Sequence, residues 1–117
     1  MFNSYQTIKL KKSKNGVATV TMNRPEVHNA FNAQMISDLT EVYNKLNDDS
    51  GIQVIILRAE GKSFSAGADI KWMKSMAQAT ESENKVDSEK LAKLMRTMNF
   101  NAKATIAVVQ GLSLIHI

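Results

Sequence analysis

The sequence predicts an α/β fold built around a strand, a helix and a second strand that runs parallel to the first. Residues 17–22 alternate between apolar and polar side chains, as a strand with one buried face does. Residues 54–57 are a short, β-branched apolar run, which is typical of a strand buried on both faces. Because a helical pattern separates these two runs, their order favours a parallel pair joined by a helical crossover.

The first predicted element is a β-hairpin. Ile8 and Leu10 alternate with lysines, Asn15-Gly16 is a turn signal, and residues 17–22 form the returning strand. Pro25 ends the pairing, because proline cannot donate a hydrogen bond to a neighbouring strand.

A helix is predicted over about residues 32–47, between the two parallel strands. Asn32 can cap its N-terminus, and residues 48–51 (Asp-Asp-Ser-Gly) end it. The apolar side chains that repeat with helical spacing are Met35, Ile36, Leu39, Val42, Tyr43 and Leu46. This periodicity predicts an amphipathic helix.

The second half of the chain predicts two more helices and one more strand. Asp69 opens a short helix after a loop of small residues at 61–68, and Ile70, Trp72, Met73 and Met76 lie on it. Residues 78–89 are polar, so they predict either a mobile linker or a loosely held helix start. The apolar positions of the second, amphipathic helix are Val86, Leu91, Leu94, Met95 and Met98. Residues 105–109 then predict another strand of the buried type.

Composition and length restrict the classes of function. The chain has 117 residues, no cysteine and two histidines, which allows one small domain or part of a larger one. The lack of cysteine excludes a thiolate zinc site and a cysteine nucleophile, and two histidines disfavour a multi-histidine metal centre. No apolar run approaches the roughly 20 residues of a membrane helix, and the first residues lack a signal-peptide pattern. We therefore expect a cytoplasmic protein with no metal and no membrane partner.

The net charge of +4 includes a basic cluster near the N-terminus. Its members are Lys9, Lys11, Lys12 and Lys14. Such a cluster can attract a polyanion, or it can keep an edge strand from pairing with another sheet. No aromatic side chains are interleaved with the lysines, so we favour the edge strand and expect no nucleic-acid partner.

Common catalytic sequence patterns are absent. The five glycines form neither Gly-x-Gly-x-x-Gly nor a phosphate-binding loop, and His-Glu-x-x-His does not occur. Ser65 could act as a nucleophile only with a base, and His28 is the one histidine available for that role. We do not favour this arrangement.

Residues 64–70 (Phe-Ser-Ala-Gly-Ala-Asp-Ile) lead straight into the short helix. Ligands of α/β proteins gather at the carboxyl ends of strands, and N–H groups at a helix start have no acceptor within the helix. Gly67 and Ala68 have no bulk, so an oxygen atom of a ligand could approach such an N–H. If negative charge develops on that oxygen, one donor is worth about 3–4 kcal/mol. From spacing alone, a tight helix-entry turn is the simpler interpretation.

Three segments together resemble the crotonase family, the enoyl-CoA hydratases and isomerases. Residues 20–32 (Val-Thr-Met-Asn-Arg-Pro-Glu-Val-His-Asn-Ala-Phe-Asn) resemble its first signature, residues 55–70 its second, and residues 106–111 the start of its third. The likeness covers residues 5–111 in order. Residues 64–73 further resemble the methylglutaconyl-CoA hydratase branch, which acts in leucine breakdown. Their sequence is Phe-Ser-Ala-Gly-Ala-Asp-Ile-x-Trp-Met.

The resemblance implies a fold and an activity. Residues 1–111 are expected to form the N-terminal part of a crotonase-type spiral of ββα units. The activity is expected to be the addition of water to a 2-enoyl-CoA thioester, with no separate cofactor because CoA is part of the substrate. A Δ3,Δ2-enoyl-CoA isomerase is the alternative within the family, and members usually form trimers or hexamers. A small, purely structural domain is the alternative outside enzymes.

The resemblance also implies roles for particular residues. The N–H of Ala68 is expected to be one of two oxyanion-hole donors, and the carbonyl of Ala66 to accept from the adenine amino group of CoA. Asp69 is expected to cap the helix that aims Ala68. The full set of expected substrate-binding residues is Glu26, Val27, Ala30, Ala66, Gly67, Ala68, Asp69, Ile70 and Lys71. Lys71 is expected near the CoA phosphates or simply in solvent, and Trp72 in the core or beside the acyl group.

The chain departs from the family pattern at two places. Ala104 stands where the family usually has proline, a change that restores an N–H. After Gly111 the family continues into a Gly-Gly-Gly run with the second donor, followed by two catalytic glutamates. Here residues 112–117 read Leu-Ser-Leu-Ile-His-Ile and resemble a translated sequencing adapter, so we expect a non-native tail and an inactive fragment. A member of the branch noted above is associated with RNA binding through a lysine-rich helix that matches residues 85–96, but acidic side chains dilute the lysines here and favour a solvated helix face.

Overall fold

The computed structural model describes residues 5–111, whose strands form one four-stranded sheet in the order β1-β2-β3-β4. The expected non-native tail, residues 112–117, lies outside the described residues. The strands are β1 (Ile8–Lys12), β2 (Val17–Met22), β3 (Val54–Ala59) and β4 (Ala104–Ala107). The helices are α1 (Ala33–Asn47), α2 (Ile70–Gln78) and α3 (Glu81–Asn99), and a 3-10 turn covers Pro25–Val27.

The strand pairing confirms the predicted hairpin and the predicted parallel unit. β1 pairs antiparallel with β2, so that Ile8 lies opposite Met22. β2 pairs parallel with β3, and Val20 lies beside Leu57. Because α1 connects these two neighbouring parallel strands, the helical crossover is also as predicted.

The core lies between α1 and one face of the sheet. The side chain of Asn32 accepts from the Met35 N–H at 2.9 Å, which confirms the predicted cap. All six apolar positions of the predicted helix are buried. They pack with alternate residues of the central strands, such as Val20 and Ile55, and each such side chain stabilises the fold by about 1.5–3 kcal/mol.

Burial of the strands differs from the sequence prediction in two places. β3 is not buried on both faces: Ile55 and Leu57 are buried, whereas Val54 and Ile56 are only partly covered by residues 5–111. β4 is exposed at all four positions, so the prediction of a buried strand at this place is wrong. The reason is its position at the edge of the sheet, where β3 is its only partner among the described strands.

The last two helices begin at polar caps. Asp69 caps α2 as predicted, but α2 has no fully buried residue, and Met73 on it is 52% exposed. Thr80 and Glu83 form a capping box at the start of α3, so the polar stretch is a helix start and not a linker. On α3, Leu94 is buried, Leu91 and Met98 pack against the core, and Val86 and Met95 are exposed.

The described residues contain neither a helix that could span a membrane nor a cluster of side chains that could bind a metal. Within residues 5–111, no helix has the length and apolar character needed to cross a bilayer. The same part of the chain contains no group of three or more His, Cys, Asp or Glu side chains that could hold a metal ion.

Candidate functional site

Two loops run side by side at the carboxyl ends of β2 and β3. The first loop, residues 23–32, follows β2, and the second loop, residues 60–69, follows β3. The N–H of Phe31 donates to the carbonyl of Gly67 at 2.6 Å, and the N–H of Asp69 donates to the carbonyl of Phe31 at 2.7 Å. These bonds form an isolated parallel bridge between Phe31 and Ala68. The N–H of Ala66 adds a third link, to the carbonyl of His28 at 2.9 Å. The resemblance groups residues of both loops, and the fold brings them together.

The bridge determines where the N–H of Ala68 points. In a parallel bridge of this pattern, the bonds come from the residues flanking the bridged one, so the N–H and C=O of Ala68 point away from Phe31. Ala68 is exposed. Its N–H donates to no acceptor among the hydrogen bonds of residues 5–111. The entrance to α2 therefore presents a free N–H donor at the protein surface.

Ser65 and Gly67 shape the turn before this donor. Gly67 has a φ of 94°, a conformation that side chains other than hydrogen rarely allow. The hydroxyl of Ser65 accepts from the Gly67 N–H at 3.2 Å and donates to the carbonyl of Asn29 at 3.0 Å. The ring of His28 lies instead 3.2 Å from the Ser63 hydroxyl. Ser65 is thus a buried structural hydroxyl, and within residues 5–111 it has no histidine base.

Asn29 is a structural centre of the site that the sequence reasoning missed. It is fully buried with a left-handed φ of 55°, which asparagine tolerates better than most residues. Its side-chain carbonyl accepts from the Arg24 N–H at 2.7 Å. Its amide donates to the carbonyls of Glu60 and Ser63 at 2.8 and 2.9 Å. One side chain therefore ties the first loop to the second.

An ion pair between Arg24 and Asp69 closes the same pair of loops. The guanidinium donates to Asp69 at 3.0 Å and to the carbonyl of Ala30 at 2.5 Å, while the N–H of Trp72 donates to the other oxygen of Asp69 at 3.1 Å. Burial alone would raise the pKa of Asp69. The hydrogen bonds from Trp72 and Arg24 outweigh burial and hold that pKa below its ordinary value. Asp69 is therefore an ionised helix cap.

The remaining expected binding residues lie around these loops. Glu26 and Val27 are in the 3-10 turn, and Ala30 is buried beside the bridge. Ile70 is 69% exposed in the first turn of α2, next to the exposed Lys71. The side chains of Glu26 and Lys71 make no hydrogen bond or ion pair within residues 5–111, so both are available to a ligand.

The start of the third signature packs against the second loop. The carbonyl of Gln110 accepts from the Phe64 N–H at 2.9 Å, and its side-chain amide donates to the carbonyl of Ala59 at 2.8 Å. Gly111 has a positive φ, and a Cβ there would collide with the carbonyl of Lys62. This close approach requires glycine at position 111.

An apolar cavity of about 440 Å³ opens beside Gly67, within the size range of small-molecule sites. Its walls include Met22, Phe31, Leu57, Phe64 and Met98. Its polar lining consists of uncharged groups, and no charged side chain of the described residues lines it. Trp72, which the sequence placed in the core or beside the acyl group, packs against the core and does not line this cavity. The cavity-lining residues looked like ordinary core positions in the sequence.

Comparisons with known proteins agree with these observations. Residues 12–114 match the family model described as enoyl-CoA hydratase/isomerase. The chain is 34% identical over 89 residues to the trans-2-decenoyl-[acyl-carrier-protein] isomerase of Streptococcus mutans, covering 76% of this chain and 33% of that protein. It is 31% identical over 112 residues to the crotonyl-CoA hydratase of Syntrophomonas wolfei, covering 95% of this chain and 42% of that protein.

A solved structure gives the same result for the fold. The enoyl-CoA hydratase of Shewanella pealeana superposes with a TM-score of 0.87 at 36% identity, over 91% of this chain and 40% of that one. The chain thus spans well under half the length of the relatives it matches. The predicted fold class, the N-terminal part of the crotonase architecture, is confirmed. The chain belongs to the enoyl-CoA hydratase/isomerase family.

Proposed function

We propose that this chain carries the thioester-binding part of an enoyl-CoA hydratase, with the N–H of Ala68 as an oxyanion-hole donor. The observation that supports this proposal best is the outward N–H of Ala68, which has no acceptor within residues 5–111 and follows Gly67 in the wall of an apolar cavity. A thioester oxygen that accepts from this N–H is stabilised more as it gains charge, so the donor favours the enolate formed when water adds to a 2-enoyl-CoA. Loss of one such donor is worth about 3–4 kcal/mol in known cases.

The CoA moiety is proposed to bind along the two loops. The carbonyl of Ala66 would accept from the adenine amino group, and Glu26, Val27 and Ala30 would line the CoA path. Lys71 and Ile70, both exposed at the start of α2, would lie near the phosphates and the pantetheine chain. CoA enters as part of the substrate, so no separate cofactor is proposed.

The proposal also concerns the identity of the acyl group. Residues 64–73 support methylglutaconyl-CoA and a role in leucine breakdown. The uncharged cavity beside Gly67 supports an apolar acyl chain, because the free carboxylate of methylglutaconyl-CoA buried there would meet no cation among the described residues that line it. A direct comparison of crotonyl-CoA and methylglutaconyl-CoA in the binding experiment below decides between them.

An isomerase is the second candidate function. The observation that favours it is the similarity to the Streptococcus mutans isomerase. Isomerisation also proceeds through a thioester enolate, so it uses the same N–H donor and differs in the carboxylates that move the proton. In the family those carboxylates follow Gly111. The whole protein is proposed to be a trimer or hexamer in the cytoplasm, and this chain alone is proposed to be inactive.

The proposal is tested by following the backbone amide of Ala68 while the chain is titrated with crotonyl-CoA or with free CoA. We expect the thioester to shift the Ala68 amide resonance and free CoA to leave it almost unchanged. Ala68→Pro removes the donor and should abolish the preference for thioester over CoA. Ala104→Pro is the matched control, since proline is tolerated at the first residue of an edge strand.

Three outcomes would count against this proposal. One is an Ala68 resonance that stays unchanged at saturating thioester. Another is an equal affinity of the chain for thioester and CoA. Hydration of crotonyl-CoA by the chain alone, seen as loss of the enoyl absorbance, would contradict the proposed inactivity.

A further inference from the structure

The side chain of Arg24 joins the two loops of the site from a position that is only 16% exposed. One guanidinium nitrogen donates to the carbonyl of Ala30, and the other donates to the carboxylate of Asp69. A planar guanidinium can make both bonds only when the two acceptors are held at a fixed spacing. Arg24 therefore sets the distance between the loops.

This spacing bears directly on the oxyanion donor. Ala30 precedes Phe31, and Asp69 follows Ala68, so the two acceptors of Arg24 flank the Phe31–Ala68 bridge. The bridge is what turns the N–H of Ala68 away from the first loop. A change in loop spacing would rotate that N–H even if both loops stayed folded.

Arg24 also balances a charge. Asp69 is ionised and lies one residue from Ala68, where its negative charge opposes the build-up of negative charge on a thioester oxygen. The carboxylate is retained because it caps α2 through the Trp72 N–H. The guanidinium, 3.0 Å from the carboxylate, offsets that charge where the site is partly shielded from water.

We propose that Arg24 is a positioning residue for the oxyanion donor, which acts through Asp69 by fixing the direction of the Ala68 N–H and by neutralising the carboxylate next to it. This role rests on the proposed function of Ala68. It predicts that Arg24 contributes to binding of the thioester group more than to binding of the CoA moiety.

The test uses the full chain and four changes: Arg24→Gln, Arg24→Lys, Asp69→Asn and Arg24→Gln combined with Asp69→Asn. Affinities for crotonyl-CoA and free CoA are measured for each variant, with the Ala68 amide resonance of the free chain as a second readout. Arg58→Gln, which removes an exposed arginine on β3, is the matched control.

We expect Arg24→Gln to weaken thioester binding about tenfold, the value of one charge-assisted hydrogen bond, and to change CoA binding much less. Arg24→Lys keeps the charge but loses the two-acceptor geometry, so its thioester affinity should lie between that of the unmodified chain and that of Arg24→Gln. Asp69→Asn should recover part of the loss in the Arg24→Gln background, because it removes the unbalanced charge and keeps a capping oxygen. The Ala68 resonance should move in Arg24→Gln and stay in place in Arg58→Gln.

The outcomes separate this role from the proposed function. An unmodified chain that binds thioester no better than CoA overturns both. A chain that prefers the thioester, and keeps that preference and its Ala68 resonance in Arg24→Gln, overturns the role of Arg24 alone. If Arg24→Gln fails to fold, Arg24→Lys and the double variant carry the same comparison: an unchanged ratio of thioester to CoA affinity in both overturns the role.

Discussion

The sheet-and-α1 core and the two loops of the site are stabilised by different forces. In the core, side chains such as Leu46, Val42 and Ile55 are fully buried among other apolar groups. In the loops, Asn29 and Arg24 hold the structure through hydrogen bonds whose partners include residues 31 and 45 positions away in the chain.

The difference predicts how each region responds to substitution. A smaller apolar side chain leaves a cavity that neighbours can partly fill, so the damage stays local. Loss of one member of a buried polar network leaves its partners unpaired and displaces the backbone they hold. Changes in the core should therefore alter stability alone, whereas changes in the loops should alter both stability and the direction of the Ala68 N–H.

The largest effect is expected for Asn29→Ala. It leaves the Arg24 N–H and the carbonyls of Glu60 and Ser63 without their partner, and it places alanine at a positive φ. Together these changes should lower the free energy of unfolding by about 4 kcal/mol, measured by urea denaturation. Asn44→Ala, at an exposed position on α1, should change it by less than about 0.5 kcal/mol. A loss below about 1 kcal/mol in Asn29→Ala would contradict the view that this side chain joins the loops.

The core counterpart is Leu46→Ala, which removes a fully buried side chain from α1. The free energy of unfolding should fall by about 3 kcal/mol. Under conditions where the variant is folded, its ratio of affinities for crotonyl-CoA and free CoA should equal that of the unmodified chain. A ratio that changes severalfold would show that the core and the loops do not respond independently.

The same contrast explains what the sequence could and could not predict. The hairpin, α1 and the caps at Asn32 and Asp69 follow from local signals, which are alternation, helical periodicity and side chains that reach a nearby N–H. The capping box of Thr80 and Glu83 is also a local signal, Thr-x-x-Glu. It did not lead to a firm helix prediction because the residues around it are polar and lack helical apolar periodicity.

The failures concern contacts between distant residues. The role of Asn29 depends on carbonyls more than thirty positions away, and the pairing of Arg24 with Asp69 spans 45 positions. The exposure of β4 depends on its place at the edge of the sheet, which its apolar sequence does not reveal. The outward direction of the Ala68 N–H likewise depends on the bridge to Phe31 and not on the small side chains around it.

The smallest expected effect concerns the charge of Asp69, which is part of the polar network of the loops. Because the pKa of Asp69 is lowered in the folded chain, ionised Asp69 stabilises the fold at any pH above its ordinary pKa. That contribution is lost as the pH falls through the lower, folded-state pKa. We expect it to be about 1 kcal/mol, the size of a favourable charge near a partly buried helix N-terminus.

Asp69→Asn keeps the capping oxygen and removes the charge, so it isolates this contribution. The free energies of unfolding of the unmodified chain and of Asp69→Asn are compared from neutral to acidic pH. Their difference should be constant near neutral pH and should shrink as the carboxylate becomes protonated, while the titration of every other carboxylate is shared by both chains and cancels. A difference that stays constant into acid would mean that the charge of Asp69 contributes nothing to stability, and a difference that grows would contradict the lowered pKa.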